Sequence, residues 1–168
     1  MGQTLERLTI AAFSVILMTS SAEADWQYTK WGMSPEDVIA AAPHENGMKI
    51  ASDDKQNDYQ EIEGIYSAER FHFRASMLFV ERKLYAVHLA TEDGGFQCSD
   101  LRRALTDIYG TSVEHGSKLF GRNLLRNTDF DLWKDTAGGN LITLYDSDPC
   151  TIVYRSPQEI ERRKVKGL

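Results

Sequence analysis

The chain has 168 residues, of which 42% are hydrophobic and 26% charged, and its formal net charge at pH 7 is −6. These values are typical of one globular domain, and they exclude a disordered chain, a collagen and a disulfide-dense miniprotein. Binding to nucleic acid requires a concentrated basic face, so an acidic chain of this kind is expected to have no nucleic-acid partner.

An apolar run from Leu8 to Met18 lies near the amino terminus and is followed by small polar residues. The segment Ala22-Glu23-Ala24 has the small-x-small pattern that signal peptidase recognises. A membrane span takes about 20 apolar residues, so the shorter run predicts a cleaved signal peptide over residues 1–24 and no permanent membrane span. The mature protein would begin at Asp25 and be periplasmic or secreted. It has no cysteine near the cleavage site, so no lipobox anchor is expected.

Two cysteines, Cys98 and Cys150, follow the predicted cleavage site. In an exported chain two thiols most simply form one disulfide bond. The bond would close a loop of about 53 residues, which in the chain-entropy model stabilises the fold by ~4 kcal/mol. The spacing is unlike that of a C-x-x-C metal or redox pair, so the sequence predicts a structural bridge.

The first third of the mature chain carries one well-marked helix start. Trp26 and Tyr28 alternate as on a short strand. Ser34 can cap a helix, and the proline and two acidic residues that follow it are favourable in the first helical turn. This helix is expected to stop at Pro43. The polar segment 51–58 is predicted to be a loop.

The middle of the chain shows the two-residue period of strands. Alternation is partial over 59–66 and clean over 71–79, where Phe71, Phe73, Ala75, Met77 and Phe79 would face the core. Residues 84–91 are predicted to return as a second strand with Val87 and Leu89 on the same buried face. A register slip of one residue would instead place His88 inside.

After a glycine-rich turn the pattern begins again. Ser99 is predicted to cap a helix with an apolar stripe and a left-handed cap at Gly110. A less regular stretch over 111–127 precedes expected strands at 130–134, 141–145 and 150–154. Ser156 and a glutamate three residues later form a capping box, which predicts a short final helix from about residue 156. The apolar stripe of the helix predicted after Ser99 consists of Leu101, Ala104, Leu105 and Ile108.

The sequence therefore predicts a single α+β domain over 25–168. Its mostly antiparallel sheet would carry short helices on one face, in two tandem helix-plus-hairpin units. The absence of Pro/Gly/Ser linkers within the chain favours one domain over two.

The segment Trp31 to Val38, WGMSPEDV, resembles the start of small exported bacterial domains of the β-lactamase-inhibitor-protein-like class. That class includes the small outer-membrane assembly lipoproteins. The resemblance implies helix-plus-strand units and protein binding without catalysis, and it assigns no functional residue. It rests on Gly32, Ser34, Glu36, Asp37 and Val38.

No catalytic, metal or cofactor motif occurs in the sequence. None of the histidines, at positions 44, 72, 88 and 115, has ligand spacing or a partner fixed by the sequence. The cluster Asp53, Asp54, Asn57 and Asp58 lacks the glycine and terminal glutamate of a calcium loop, which favours a solvated loop. The separation of the carboxylates that flank the second hairpin is not readable from the sequence. These are Asp129, Asp131, Asp135, Asp146 and Asp148.

Trp26, Tyr28 and Trp31 form a candidate aromatic patch for binding a partner, because aromatic residues are enriched in protein-binding hot spots. The alternative, which the pattern favours, is a first strand packed on the sheet. The sequence thus predicts an exported, non-enzymatic interaction module with a protein partner in the cell envelope and no cofactor. The alternative function is a small periplasmic hydrolase whose His and Asp residues converge only in the fold.

Overall fold

The structure is a computed structural model that describes residues 25–54, 56, 58–92, 98–120 and 126–165. The predicted signal peptide lies outside these residues. Eight of the described strands form one antiparallel sheet in the order β3-β4-β5-β6-β10-β9-β8-β7. Their bounds are β3 (Lys49–Asp54), β4 (Tyr59–Ala68), β5 (Phe71–Val80), β6 (Lys83–Thr91), β7 (Glu114–Phe120), β8 (Arg126–Lys134), β9 (Leu141–Asp146) and β10 (Thr151–Arg155).

The remaining described elements are short. A two-strand hairpin, β1 (Asp25–Trp26) and β2 (Thr29–Lys30), precedes helix α1 (Pro35–Ala41). Helix α2 (Cys98–Tyr109) separates β6 from β7, and helix α3 (Pro157–Val165) follows β10. No helix within the described ranges is long and apolar enough to cross a membrane.

The predicted α+β class is wrong, because the fold is β-rich. The described α-helices have only 7, 12 and 9 residues, whereas one continuous sheet includes strands of up to 10 residues. The chain builds this sheet as two meanders, β3–β6 and β7–β10, which meet where β6 pairs with β10. The architecture is therefore determined mainly by pairing between strands.

The single short strand predicted at Trp26 and Tyr28 is instead the β1–β2 hairpin, with Tyr28 in its turn. Two strands of the eight-stranded sheet were not predicted, and they are its two edges. The segment 51–58, predicted as a polar loop, includes the last four residues of β3, and the irregular stretch contains β7. Edge strands with mostly exposed side chains show no alternation of apolar and polar residues, so the two-residue period is absent from their sequence.

The main core lies between the sheet and the first two helices. Residues opposite each other on neighbouring strands share a face, and this relation joins Ala75, Leu89, Ile152 and Leu144 across four strands. All four are buried, and Val38 of α1 and the Leu101 and Leu105 side chains of α2 belong to the same cluster. We call this side of the sheet the helix face, and the opposite side the open face.

The β5–β6 hairpin places Val87 and Leu89 on the buried face, as predicted, and so fixes the register that the sequence left open. Val87 lies opposite Met77 and Leu89 opposite Ala75, so both join the helix face. His88 consequently lies on the open face, opposite Ser76. A bulge between Leu78 and Phe79 shifts the register toward the turn.

Most of the predicted helix signals are confirmed. The Asp37 N–H donates to the Ser34 hydroxyl at 3.2 Å, and Gly110 has φ +81° after α2. The Ser156 hydroxyl likewise accepts from the Glu159 N–H at 3.1 Å. Helix α2, however, begins at Cys98, before the predicted cap Ser99.

Candidate functional site

The predicted cysteine pair lies at disulfide-bonding distance. Cys98 begins α2 and Cys150 precedes β10, and their Cα atoms are 5.6 Å apart. Both side chains are buried in the main core. The bridge ties α2 to the end of the sheet near the β9–β10 turn.

The three predicted partner-binding aromatics lie in different environments. Trp26 is only 4% exposed and packs edge-on against Tyr66, with ring centroids 5.1 Å apart. Tyr28 is half-buried, and burial raises the pKa of its hydroxyl despite a hydrogen bond from Asn46. These two side chains pack on the helix face, as in the structural alternative for the patch.

Trp31 lines a cleft of about 490 Å³ beside the start of α3. Its indole N–H donates to the Asn140 side-chain oxygen at 2.8 Å. Glu159 lines the same cleft, is 3% exposed and accepts hydrogen bonds from Arg162 at 2.7 and 3.0 Å. The buried carboxylate is thus neutralised within α3, and Trp31 is held by a hydrogen bond.

A second cluster, which the sequence did not predict, joins α2 to the helix face. Asp131 of β8 has a side chain that is only 7% exposed, and it accepts a hydrogen bond from Arg102 Nε at 2.6 Å. His115 Nδ1 lies 2.9 Å from the other carboxylate oxygen. Arg102 also reaches Asp146 at 3.1 Å. Burial opposes ionisation of Asp131, but the hydrogen bonds from Arg102 and His115 outweigh it, so the pKa of Asp131 lies below its ordinary value.

One local signal pointed to this cluster. Asp131 and the buried Trp133 are two residues apart on β8 and therefore share a face. A carboxylate on a buried face needs a cationic partner, and Arg102 supplies it one residue after Leu101 in α2. Among the described residues, no group of three or more His, Cys, Asp or Glu side chains is arranged to hold a metal ion.

The open face carries a groove of about 320 Å³. Its floor includes Val153, which is 2% exposed and lies opposite His88 on β6 and Thr143 on β9. Arg155, two residues along β10, donates to the Thr143 hydroxyl at 3.2 Å. The groove lies where the two meanders meet, and strand residues supply nearly all of its lining: His88, Thr128, Tyr145, Thr151, Val153 and Arg155, with Ser147 from the β9–β10 turn.

An aromatic and cationic row continues the groove toward β7. Tyr145 lies opposite Phe130, and their ring centroids are 6.3 Å apart. The Lys118 ammonium stands 5.5 Å from the centre of the Phe130 ring. Phe130 is 7% exposed although it belongs to the open face rather than to the main core.

The charges on this part of the open face are mainly positive. From β5 to β7, described open-face positions include the bases Arg74, Arg155, Lys134 and Lys118. Glu114 is the acidic side chain among them, because the aspartates of β8 and β9 point to the helix face. An acidic chain therefore presents a basic and partly apolar groove.

The other histidines do not form a site with this groove. His72 is exposed on the open face, where its Nδ1 lies 2.9 Å from the Ser67 hydroxyl, and His44 is exposed in a 3₁₀ turn after α1. Asp53 and Asp54 lie on β3, and Asn57 is outside the described residues. No protein-family model, curated protein or solved structure matches this chain.

Proposed function

We propose that this chain is an exported, non-enzymatic binding module that holds an acidic segment of a protein partner in the groove of the open face. The observation that carries the proposal is the groove itself, whose walls come from strands on both sides of the β6–β10 junction. Val153 lies at its floor, and the Tyr145 ring in its lining offers contact area for a side chain. Among the described residues that line it, none carries a carboxylate.

The charge of the groove supports an acidic partner. Arg155 lines the groove, and Arg74 and Lys118 lie on the same face on either side of it. Complementary charge steers association and suppresses wrong partners, while buried aromatic and arginine side chains contribute most of the binding free energy. Binding is therefore expected to weaken with added salt.

The resemblance of the WGMSPEDV segment to β-lactamase-inhibitor-protein-like domains is in keeping with this proposal, since it implies protein binding without catalysis. It remains a prediction and assigns no partner. Secretion after cleavage of residues 1–24 likewise remains part of the proposal.

Site-specific photocrosslinking in the producing cell tests the proposed function. A benzoylphenylalanine in place of Tyr145, which lines the groove, is expected to form a discrete adduct with an envelope protein. The matched control places the same crosslinker at Ile108 of α2, which is 69% exposed and away from the open face. Arg155→Glu should abolish the adduct at position 145. Equal adducts at both positions, or none at position 145, would contradict the proposal.

One observation favours the alternative function of a hydrolase. His115 Nδ1 lies against the buried Asp131, an arrangement that orients a histidine as a general base. Ser117, two residues along the same strand face, instead donates its hydroxyl hydrogen to Asp129. Hydrolysis of an ester, peptide or phosphoester substrate by the purified protein, lost in His115→Ala, would establish the alternative and reject the binding module.

A further inference from the structure

The two edge strands of the sheet differ in how they are protected. Exposed edges pair readily with other strands, and proteins block them with bulges and charges. Strand β3 has both devices, a bulge between Ile50 and Ser52 and the adjacent acids Asp53 and Asp54. Strand β7 has an unbroken seven-pair register with β8, and within the described part of the chain it pairs with β8 alone.

We propose that β7 pairs antiparallel with β7 of a second copy of this chain, about a two-fold axis at Gly116. In this register Glu114 lies opposite Lys118 of the second copy, and Lys118 opposite its Glu114. His115 lies opposite Ser117 in the same way. A two-fold interface requires a self-complementary surface, and β7 has one because its acid and its base are equally distant from Gly116.

The charges select this register over its neighbours. Glu114 and Lys118 are both exposed, and neither forms an ion pair with a described residue. Directly opposed residues on antiparallel strands have Cβ atoms about 4.5–5.5 Å apart, which is close enough for opposite charges to attract. A shift of one or two residues in either direction removes both Glu–Lys contacts.

Exposed apolar residues at the two ends of β7 fit the same pairing. Val113, just before the strand, is 66% exposed, and Leu119 is 65% exposed. Extended by one residue, the proposed register brings Val113 of one copy beside Leu119 of the other at each end of the interface. Pairing would thus shelter four large apolar side chains that the single chain leaves in water.

Gly116 suits the position on the axis. A Cβ atom at this residue would lie 3.0 Å from ring carbons of Phe130, so the strand has no side chain where Phe130 covers it. The two backbones meet at the axis without opposing side chains. Because His115 and Ser117 already contact Asp131 and Asp129, these side chains are held in place before pairing.

Sedimentation equilibrium of the purified protein over micromolar to millimolar concentrations tests the proposal. The wild-type chain should be a dimer. Lys118→Glu and Glu114→Lys should each weaken the dimer at least about tenfold, or about 1.4 kcal/mol, because the two-fold axis turns two attractions into two repulsions. The double variant, Glu114→Lys with Lys118→Glu, should restore the dimer.

The matched control is Lys49→Glu on the β3 edge, which makes the same charge change and should leave the dimer intact. Thermal melting of each variant shows whether the monomer fold is retained. A monomeric wild type, single variants that dimerise normally, or a double variant that stays monomeric would each overturn the proposal. Lys118 borders the open-face groove, but the test measures self-association of the purified chain without any other protein. Failure here and failure of the proposed function, which is tested by crosslinking to an envelope protein, are therefore distinguishable.

Discussion

Substitution of the buried Asp131 by Asn tests whether the cluster at α2 stabilises the fold. The side chain is 7% exposed and bonds both Arg102 and His115, at 2.6 and 2.9 Å. Hydrogen bonds to charged groups contribute about 1.5–3 kcal/mol each, and the amide keeps the size of the carboxylate but not its charge. We expect Asp131→Asn to lower the free energy of unfolding at pH 7 by about 2 kcal/mol.

The matched control is Asp146→Asn, which removes the same charge from the same arginine. Asp146 has a 45% exposed side chain and lies 3.1 Å from Arg102. Exposed ion pairs contribute about 0–1 kcal/mol, so this variant should be close to the wild type. A comparison of the two variants separates the effect of burial from the effect of net charge.

The effect of Asp131→Asn should also depend on pH. The hydrogen bonds from Arg102 and His115 hold the pKa of Asp131 below its ordinary value in the fold, although burial opposes them. A carboxyl whose folded pKa is lowered stabilises the fold above its unfolded pKa of about 3.9, and this contribution is lost as pH falls through the folded pKa. The difference between wild type and variant should therefore be largest near pH 7 and shrink toward pH 3.

Urea unfolding followed by tryptophan fluorescence measures the loss of unfolding free energy at pH 7 and its change with pH. Trp133 reports on this region because it is buried two residues from Asp131. Midpoints and slopes are compared between pH 7 and pH 3. The reasoning is refuted if Asp131→Asn is as mild as Asp146→Asn, or if its effect is unchanged across this range.

Three further predictions concern other parts of the chain. Non-reducing peptide mapping should find Cys98 linked to Cys150, and reduction should lower the melting temperature through a loss of a few kcal/mol; two free thiols would contradict this. Intact mass of the exported protein should correspond to a chain that begins at Asp25, and retention of residues 1–24 would rule out cleavage there. Gly64→Ala should destabilise the fold by about 1–3 kcal/mol, because the new Cβ would lie 2.5 Å from the Asn46 carbonyl oxygen; an unchanged urea midpoint would show that the 3₁₀ turn moves aside.

The centre of the sheet was predictable because its signals are local. Phe73, Ala75 and Met77 repeat every second residue, which predicts the buried face of β5. The register of the return strand depends in addition on the turn, so the alternation alone left open which face His88 would occupy. The helix starts at Ser34 and Ser156 were predictable for the same reason, since a cap hydroxyl acts within three residues.

The fold class was not predictable from these signals. Its β-rich character depends in part on the edge strands β3 and β7. These strands are held by backbone hydrogen bonds to a neighbouring strand, and their sequences carry no alternation that would predict them. The apolar stripe of α2 also overstated the cover that the helix provides, because Ile108 is 69% exposed in the structure. A helical stripe predicts which face is apolar but not how far along the helix the sheet extends.

The groove was invisible in the sequence because its residues converge through a long-range pairing. His88 and Val153 lie opposite each other only because β6 pairs with β10, and nothing local in either strand specifies that partner. Within the sequence of each strand, His88, Thr151 and Arg155 are simply polar residues that alternate with apolar ones. A groove at a junction between two meanders therefore resembles ordinary surface until the pairing is known.

The positive charge around the groove results from the strand register rather than from the composition of the chain. The net charge of −6 predicts an acidic surface, yet the pairing of Asp131 with Leu144 directs the aspartates of β8 and β9 to the helix face. There Arg102 binds two of them. The same register leaves Lys134 and Arg155 on the open face, and a slip of one residue along β8 would exchange Lys134 for aspartates. The Asp131 cluster at α2 and the basic groove are thus two consequences of one register, because two of the acids that this register keeps off the open face, Asp131 and Asp146, are bound by Arg102 on the helix face.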